Sequence, residues 1–121
     1  MSCLVAYWVI CLSDIEEKLV RKTVKGLSRA IILWLLSQKK MSGYAILKEI
    51  CRLTDFKFAS GIIYPLLYEL EEKDLIRGEW IRKGRRNIKY YSITEKGENV
   101  LNKLRELFDK PLKQVIESLL I

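Results

Sequence analysis

The spacing of apolar residues leaves the helical period for one short stretch of this chain, and that switch constrains the fold more than any other feature. Up to about residue 73 the pattern repeats at the helical 3.6-residue interval. From Trp80 to Ile93 it alternates every second residue, before the helical spacing returns. A chain patterned this way places a small β element after a set of packed helices. Leu27, Ile31 and Leu35 fall on one helical face, and Ile32, Trp34 and Leu36 widen it, so the helix over 27–38 is expected to be buried on several sides. Ser13-Asp14-Ile15-Glu16 matches a capping box and predicts a shorter helix over about 14–24, with Gly26 as a break between the two. Ser42 is positioned to cap a helix over roughly 43–53 that turns Ile46, Leu47 and Ile50 inward, with a turn at 54–57. A further helix runs from Ser60, its expected cap, to about Lys73, with Leu66, Leu67 and Leu70 on its apolar face. Proline is tolerated only in a first turn, so Pro65 is expected to pin that helix start near Ser60.

Beyond the switch, Trp80 to Lys83 and Ile88 to Ile93 flank Gly84-Arg85-Arg86-Asn87, a hairpin signal. Thr94 then opens a final helix over 95–121 that aligns Leu101, Leu104, Phe108, Leu112, Val115 and Leu119; Pro111 should kink it or restart it, with Asp109 as the new cap. The expected fold class is mainly α with a small β-hairpin, in the order helix, helix, helix, hairpin, long helix. That is the layout of a winged helix-turn-helix, and a plain helical bundle with an incidental hairpin is its competitor. The expected organisation is an N-terminal extension over 1–25, holding an apolar segment and a short helix at a dimer interface, a winged core over 26–94 and a dimerisation helix over 95–121.

Composition removes several functions. The chain has 121 residues, enough for one ordinary domain, and no histidine, which excludes Ser-His-Asp and Cys-His catalysis and His-liganded metals. Cys3, Cys11 and Cys51 form no C-x-x-C pair and read as plain thiols. Neither a phosphate loop nor a pair of carboxylates in a plausible pocket is apparent, so no enzyme and no cofactor is expected. The apolar run 3–12 is too short to span a bilayer and lacks preceding basic residues, so it reads as a packing segment of a cytoplasmic protein that uses no membrane.

Charge is concentrated. Of the net +7, seven Lys or Arg against two Glu lie between Ile76 and Gly97, and the stretch Arg82 to Lys89 holds five cations and no anion. A hairpin tip of that charge suits a phosphate backbone, where neutralisation releases counterions, and arginine there can enter a narrow minor groove. The helix from Ser60 is complementary. Ser60, Gly61, Tyr64 and Tyr68 precede its first acid, while Glu69, Glu71, Glu72 and Asp74 crowd its end as a solvated face. A recognition helix directs its N-terminal residues to the major groove.

These residues resemble the PadR family of transcriptional regulators. The resemblance runs over about 26–97 and is carried by Gly26-Leu27-Ser28-Arg29-Ala30-Ile31-Ile32-Leu33-Trp34-Leu35-Leu36, Met41-Ser42-Gly43-Tyr44-Ala45-Ile46-Leu47, Ser60-Gly61-Ile62-Ile63-Tyr64-Pro65-Leu66-Leu67-Tyr68-Glu69-Leu70-Glu71 and Arg85-Arg86-Asn87-Ile88-Lys89-Tyr90-Tyr91-Ser92-Ile93-Thr94-Glu95-Lys96-Gly97. It implies a homodimeric winged-helix repressor on an inverted-repeat operator, dimerised by its C-terminal helix, with a flat aromatic effector near the interface. The expected partners are therefore double-stranded DNA, a second copy and such an effector.

On this resemblance the expected DNA contacts are Ser42, Gly43, Tyr44, Lys48, Ser60, Gly61, Tyr64, Tyr68, Lys83, Arg85, Arg86, Asn87 and Lys89. Gly43 and Tyr44 would lie near the backbone or packed beneath it, and Tyr90 and Tyr91 would anchor the wing strand. Leu101, Leu104, Phe108, Leu112, Val115 and Leu119 are the expected dimer interface. Trp34 and Phe108 are the expected effector pocket, with Trp8 and Trp80 as further aromatic candidates. Thr94 and Gly97 would cap and open the last helix. The family usually has glycine where this chain has Asp74, a tolerable left-handed replacement. The other reading kept open is a winged-helix module that binds an acidic protein partner.

Overall fold

A computed structural model describes residues 14–55 and 59–121. Ser13, Trp8 and the apolar run 3–12 lie outside the described residues, as does the side chain of Ser60. Among the described residues, five helices and three strands follow in the order α1 (Asp14–Gln38), β1 (Met41–Ser42), α2 (Gly43–Thr54), α3 (Ala59–Glu72), β2 (Ile76–Lys83), β3 (Arg86–Ile93), α4 (Glu95–Asp109) and α5 (Lys113–Leu119). The strands form one antiparallel sheet in the order β1-β3-β2. This is the mainly helical winged architecture expected from the periodicity.

One core joins every layer. Ile32, Leu33 and Leu36 of α1, Ile46 and Ile50 of α2 and Ile63, Leu67 and Leu70 of α3 are buried together, and Ile76 and Tyr91 of the sheet and Leu101 of α4 close it. At about 25 cal/mol per Å² of apolar surface, this shared burial holds the helices at fixed angles. Ser42 caps α2 as expected: its hydroxyl accepts from the Ala45 N–H at 3.1 Å. The turn after α2 begins one residue late, at Asp55, which adopts φ 62° as its C-cap. The hairpin turns through Gly84-Arg85, with Gly84 at φ 63°, the left-handed region that glycine enters without a Cβ penalty.

Four local expectations change. Gly26 does not break the chain: α1 runs through it without interruption and so crosses the boundary drawn at residue 26. A mid-helix glycine costs only about 1 kcal/mol relative to Ala, which the packing on its C-terminal side offsets. Pro65 is not in a first turn; it lies inside α3, whose backbone begins at Ala59. Its missing N–H leaves the Gly61 carbonyl without the usual i+4 donor, and Gly61 is exposed to solvent. The sheet has three strands, because β1 pairs Met41 with Tyr91 and Ser42 with Tyr90. Finally, the last helix breaks at Pro111 and restarts, but Leu112, not Asp109, holds the N-cap, with no side-chain cap bond.

Candidate nucleic-acid interface

The start of α2, the middle of α3 and one hairpin converge on a single groove. Its lining includes Ser42, Gly43 and Tyr44 of the α2 start, Tyr64 and Tyr68 of α3, and Trp80, Arg86, Asn87, Ile88, Lys89 and Tyr91 of the wing; its volume is about 560 Å³. Eight of the thirteen residues expected to touch DNA therefore line one concave surface. Lys48, Gly61, Lys83 and Arg85 lie outside that lining, and all four are exposed. Trp80 and Ile88 were not among the expected contacts. Trp80 is 67% exposed on the wing, a position that the β alternation alone could have flagged.

Each side chain has a defined local job. Gly43 is packed beneath the surface: a Cβ there would stand 3.0 Å from Tyr64 Cε1 and 3.7 Å from a Tyr91 ring carbon. Tyr44 points outward at 63% exposure, and the Lys48 ammonium sits 5.5 Å from its ring. Gly61 has open space where a Cβ would be, so among the described residues nothing crowds this part of α3. Tyr64 is half-buried, whereas Tyr68, one turn on, is exposed. At the wing tip Arg85 and Arg86 are exposed, and neither pairs with a carboxylate among the described residues. Tyr91 is the strand anchor expected, nearly inaccessible in the core, and burial pushes its hydroxyl pKa up.

The acids at the end of α3 are not all a solvated face. Glu69 accepts from Arg29 Nε at 2.8 Å and Arg29 Nη2 at 3.3 Å, which joins α3 to α1. The hydrogen bond from Arg29 lowers the pKa of Glu69. Glu71 accepts from Lys89 Nζ at 2.8 Å, and that bond raises the pKa of Lys89 and keeps its ammonium charged. Glu72 and Asp74 are exposed as expected. These partners stand 40 and 18 residues away in sequence, beyond any local pattern.

Elsewhere, α1 and α4 frame an apolar groove of about 250 Å³ lined by Leu27, Ile31, Trp34, Leu104 and Phe108, among others. The two expected pocket aromatics, Trp34 and Phe108, do meet there. Leu101 departs from the expectation of an interface residue: it is 5% exposed and belongs to the chain's own core. Leu104, Phe108 and Leu112 are half-buried, while Val115 and Leu119 are exposed. Among the described residues no helix is long and apolar enough to cross a membrane, and no cluster of His, Cys, Asp and Glu could hold a metal ion.

Residues 32–103 match the model of the transcriptional regulator PadR-like family. Among solved structures, the chain is similar to a PadR-like transcriptional regulator from Bacillus cereus, with 27% identity and a TM-score of 0.71, covering 82% of this chain and 96% of that one. A PadR family regulator from Clostridium difficile gives 25% identity and a TM-score of 0.69, covering 78% and 98%. The Bacillus subtilis PadR, in complex with operator DNA, gives 30% identity and a TM-score of 0.55, covering 64% of this chain and 45% of that one. No curated protein matches the chain.

Proposed function

This chain belongs to the PadR-like family of transcriptional regulators, not to a family of enzymes, and on that premise we propose that it is a homodimeric, sequence-specific DNA-binding repressor of an inverted-repeat operator. In this reading the start of α3 enters the major groove, and the wing over 82–89 lies on the phosphate backbone or in the minor groove. The observation that carries the reading is the convergence of Tyr44, Tyr64 and Tyr68 with the wing on one groove, flanked by the exposed Arg85 and Arg86. Tyrosine hydroxyls and arginine guanidiniums both donate to phosphate oxygens, which fixes register before any base is read. The operator-bound B. subtilis relative supports DNA as the partner.

The dimer reading is supported by apolar surface left uncovered among the described residues. The groove holding Trp34 and Phe108 includes the exposed Leu27 in its lining, and α5 presents Val115 and Leu119 to solvent. A two-fold axis through these faces would set two α3 helices about 34 Å apart, one DNA turn. The walls of Trp34 and Phe108 are also where a flat aromatic effector would lodge.

The test is fluorescence anisotropy on the duplex upstream of the protein's own coding sequence, against a scrambled duplex, over a salt series. Preference for the native duplex that persists at about 0.15 M salt is expected; equal binding that collapses with salt refutes sequence-specific reading. Arg85→Ala/Arg86→Ala should weaken binding to both duplexes and flatten the salt slope by about four units, one for each phosphate that the two protomers no longer neutralise.

A further inference from the structure

We propose that Glu71 is a positioning residue that clamps the wing to the recognition helix, and that Lys89 is its tether and not a phosphate contact. The inference rests on the DNA-binding reading above for its consequence, but the clamp itself is independent of DNA. Glu71 lies near the C-terminal end of α3 and reaches both strands of the wing with one carboxylate. Its Oε1 accepts from Lys89 Nζ on β3 at 2.8 Å, and its Oε2 accepts from the Gly78 N–H on β2 at 3.2 Å. β2 is an edge strand, so alternate N–H groups point away from β3 and need a partner elsewhere. Glu71 supplies one.

The surroundings are built for this arrangement. A Cβ on Gly78 would lie 2.2 Å from Lys89 Cε and 2.8 Å from Glu71 Oε2, so glycine opens the space in which the lysine crosses the strand. The ammonium also sits 5.2 Å from the Tyr91 ring, 5.7 Å from Tyr68 and 5.9 Å from Trp80, and the Lys89 side chain is only 20% exposed. A carboxylate and three aromatic rings thus occupy a cation that sequence alone offers to DNA. The same ion pair neutralises an acid beside a surface meant for phosphate.

Leverage makes the clamp matter. From Gly78 to the turn at Gly84 the strand extends about 20 Å, so a tilt of about 10° at the clamp moves the tip arginines by about 3 Å, the length of a hydrogen bond.

Two measurements on the full chain test this. Amide hydrogen exchange without DNA should show residues 76–93 exchanging about tenfold faster in Glu71→Ala, with α1 and α4 unchanged. Unchanged wing exchange, or equal acceleration in every element, overturns the clamp; Glu71→Gln serves if the alanine variant does not fold. In anisotropy, Glu71→Ala should weaken binding about tenfold in the wild-type background and less than about twofold on top of Arg85→Ala/Arg86→Ala, because it acts through the tip. The same loss in both backgrounds overturns it. Lys89→Met in the Arg85→Ala/Arg86→Ala background should leave the salt slope unchanged; a fall of about two units, one for each protomer, makes Lys89 a phosphate contact. A wild-type protein indifferent to its upstream duplex refutes the DNA reading, and the exchange result then decides the clamp alone.

Discussion

Asp74 holds φ at 61°, in the region where an L-residue sets its Cβ against its own carbonyl. The chain accepts that conformation because it ends α3 correctly: the Leu75 N–H reaches the Leu70 carbonyl at 2.9 Å and the Asp74 N–H reaches the Glu71 carbonyl at 3.0 Å, the bond pair of a Schellman cap. Asp74→Gly should therefore stabilise the protein by about 0.5–1 kcal/mol, read as a higher urea midpoint with an unchanged slope. A lower midpoint would mean that the Asp side chain contributes more than its backbone costs. This residue was legible in the sequence, because a family position that favours glycine signals left-handed backbone. Glu69 and Glu71 were not. An acid on a helix surface looks the same in sequence whether water or a distant cation meets it, and their partners come from α1 and β3.

At the scale of elements, the junction between the wing and α4 shows how local signals and close approach combine. The Thr94 hydroxyl accepts from the Gly97 N–H at 3.0 Å, which caps α4 as the residue types predict. Thr94 also donates its backbone N–H to the Leu75 carbonyl at 3.1 Å. That draws α4 so near the start of β2 that a Cβ on Gly97 would stand 2.1 Å from Leu75 O and 2.8 Å from Ile93 Cγ1. Gly97→Ala should cost about 2–3 kcal/mol in chemical denaturation, since a backbone carbonyl cannot swing aside as a flexible side chain can. Wild-type stability in that variant would show that α4 can shift at no cost. Helix existence was legible throughout from periodicity, but helix ends were less so. Gly26 and Pro65 each weaken a helix locally, yet packing of the surrounding turns keeps α1 and α3 intact. β1 escaped notice because two residues carry no period at all.

For the whole molecule, the balance lies between one small core and the apolar surface left outside it. Ile15 and Leu19 on the first turns of α1 are 81% and 67% exposed, and Leu119 on α5 is 76% exposed. A basic chain with this much apolar helix surface is expected to associate. Sedimentation at about 10 µM should give twice the chain mass of 14.2 kDa. Val115→Glu/Leu119→Glu should raise the dimer dissociation constant at least about tenfold while the α3–wing groove stays folded. A wild-type species of 14.2 kDa under those conditions would refute the dimer.

The order of helices and hairpin, the basic tip and the absence of histidine chemistry were determined by the sequence alone, because periodicity, turn residues and net charge act over a few neighbouring positions. Only the tertiary structure decided which of those charges remain available. Arg85 and Arg86 stay exposed at a turn that no other described element covers, whereas Lys89, equally basic in sequence, meets Glu71 because the folded core brings the end of α3 against β3. Charge type is a property of a residue; its availability depends on distances that the packing of distant segments sets.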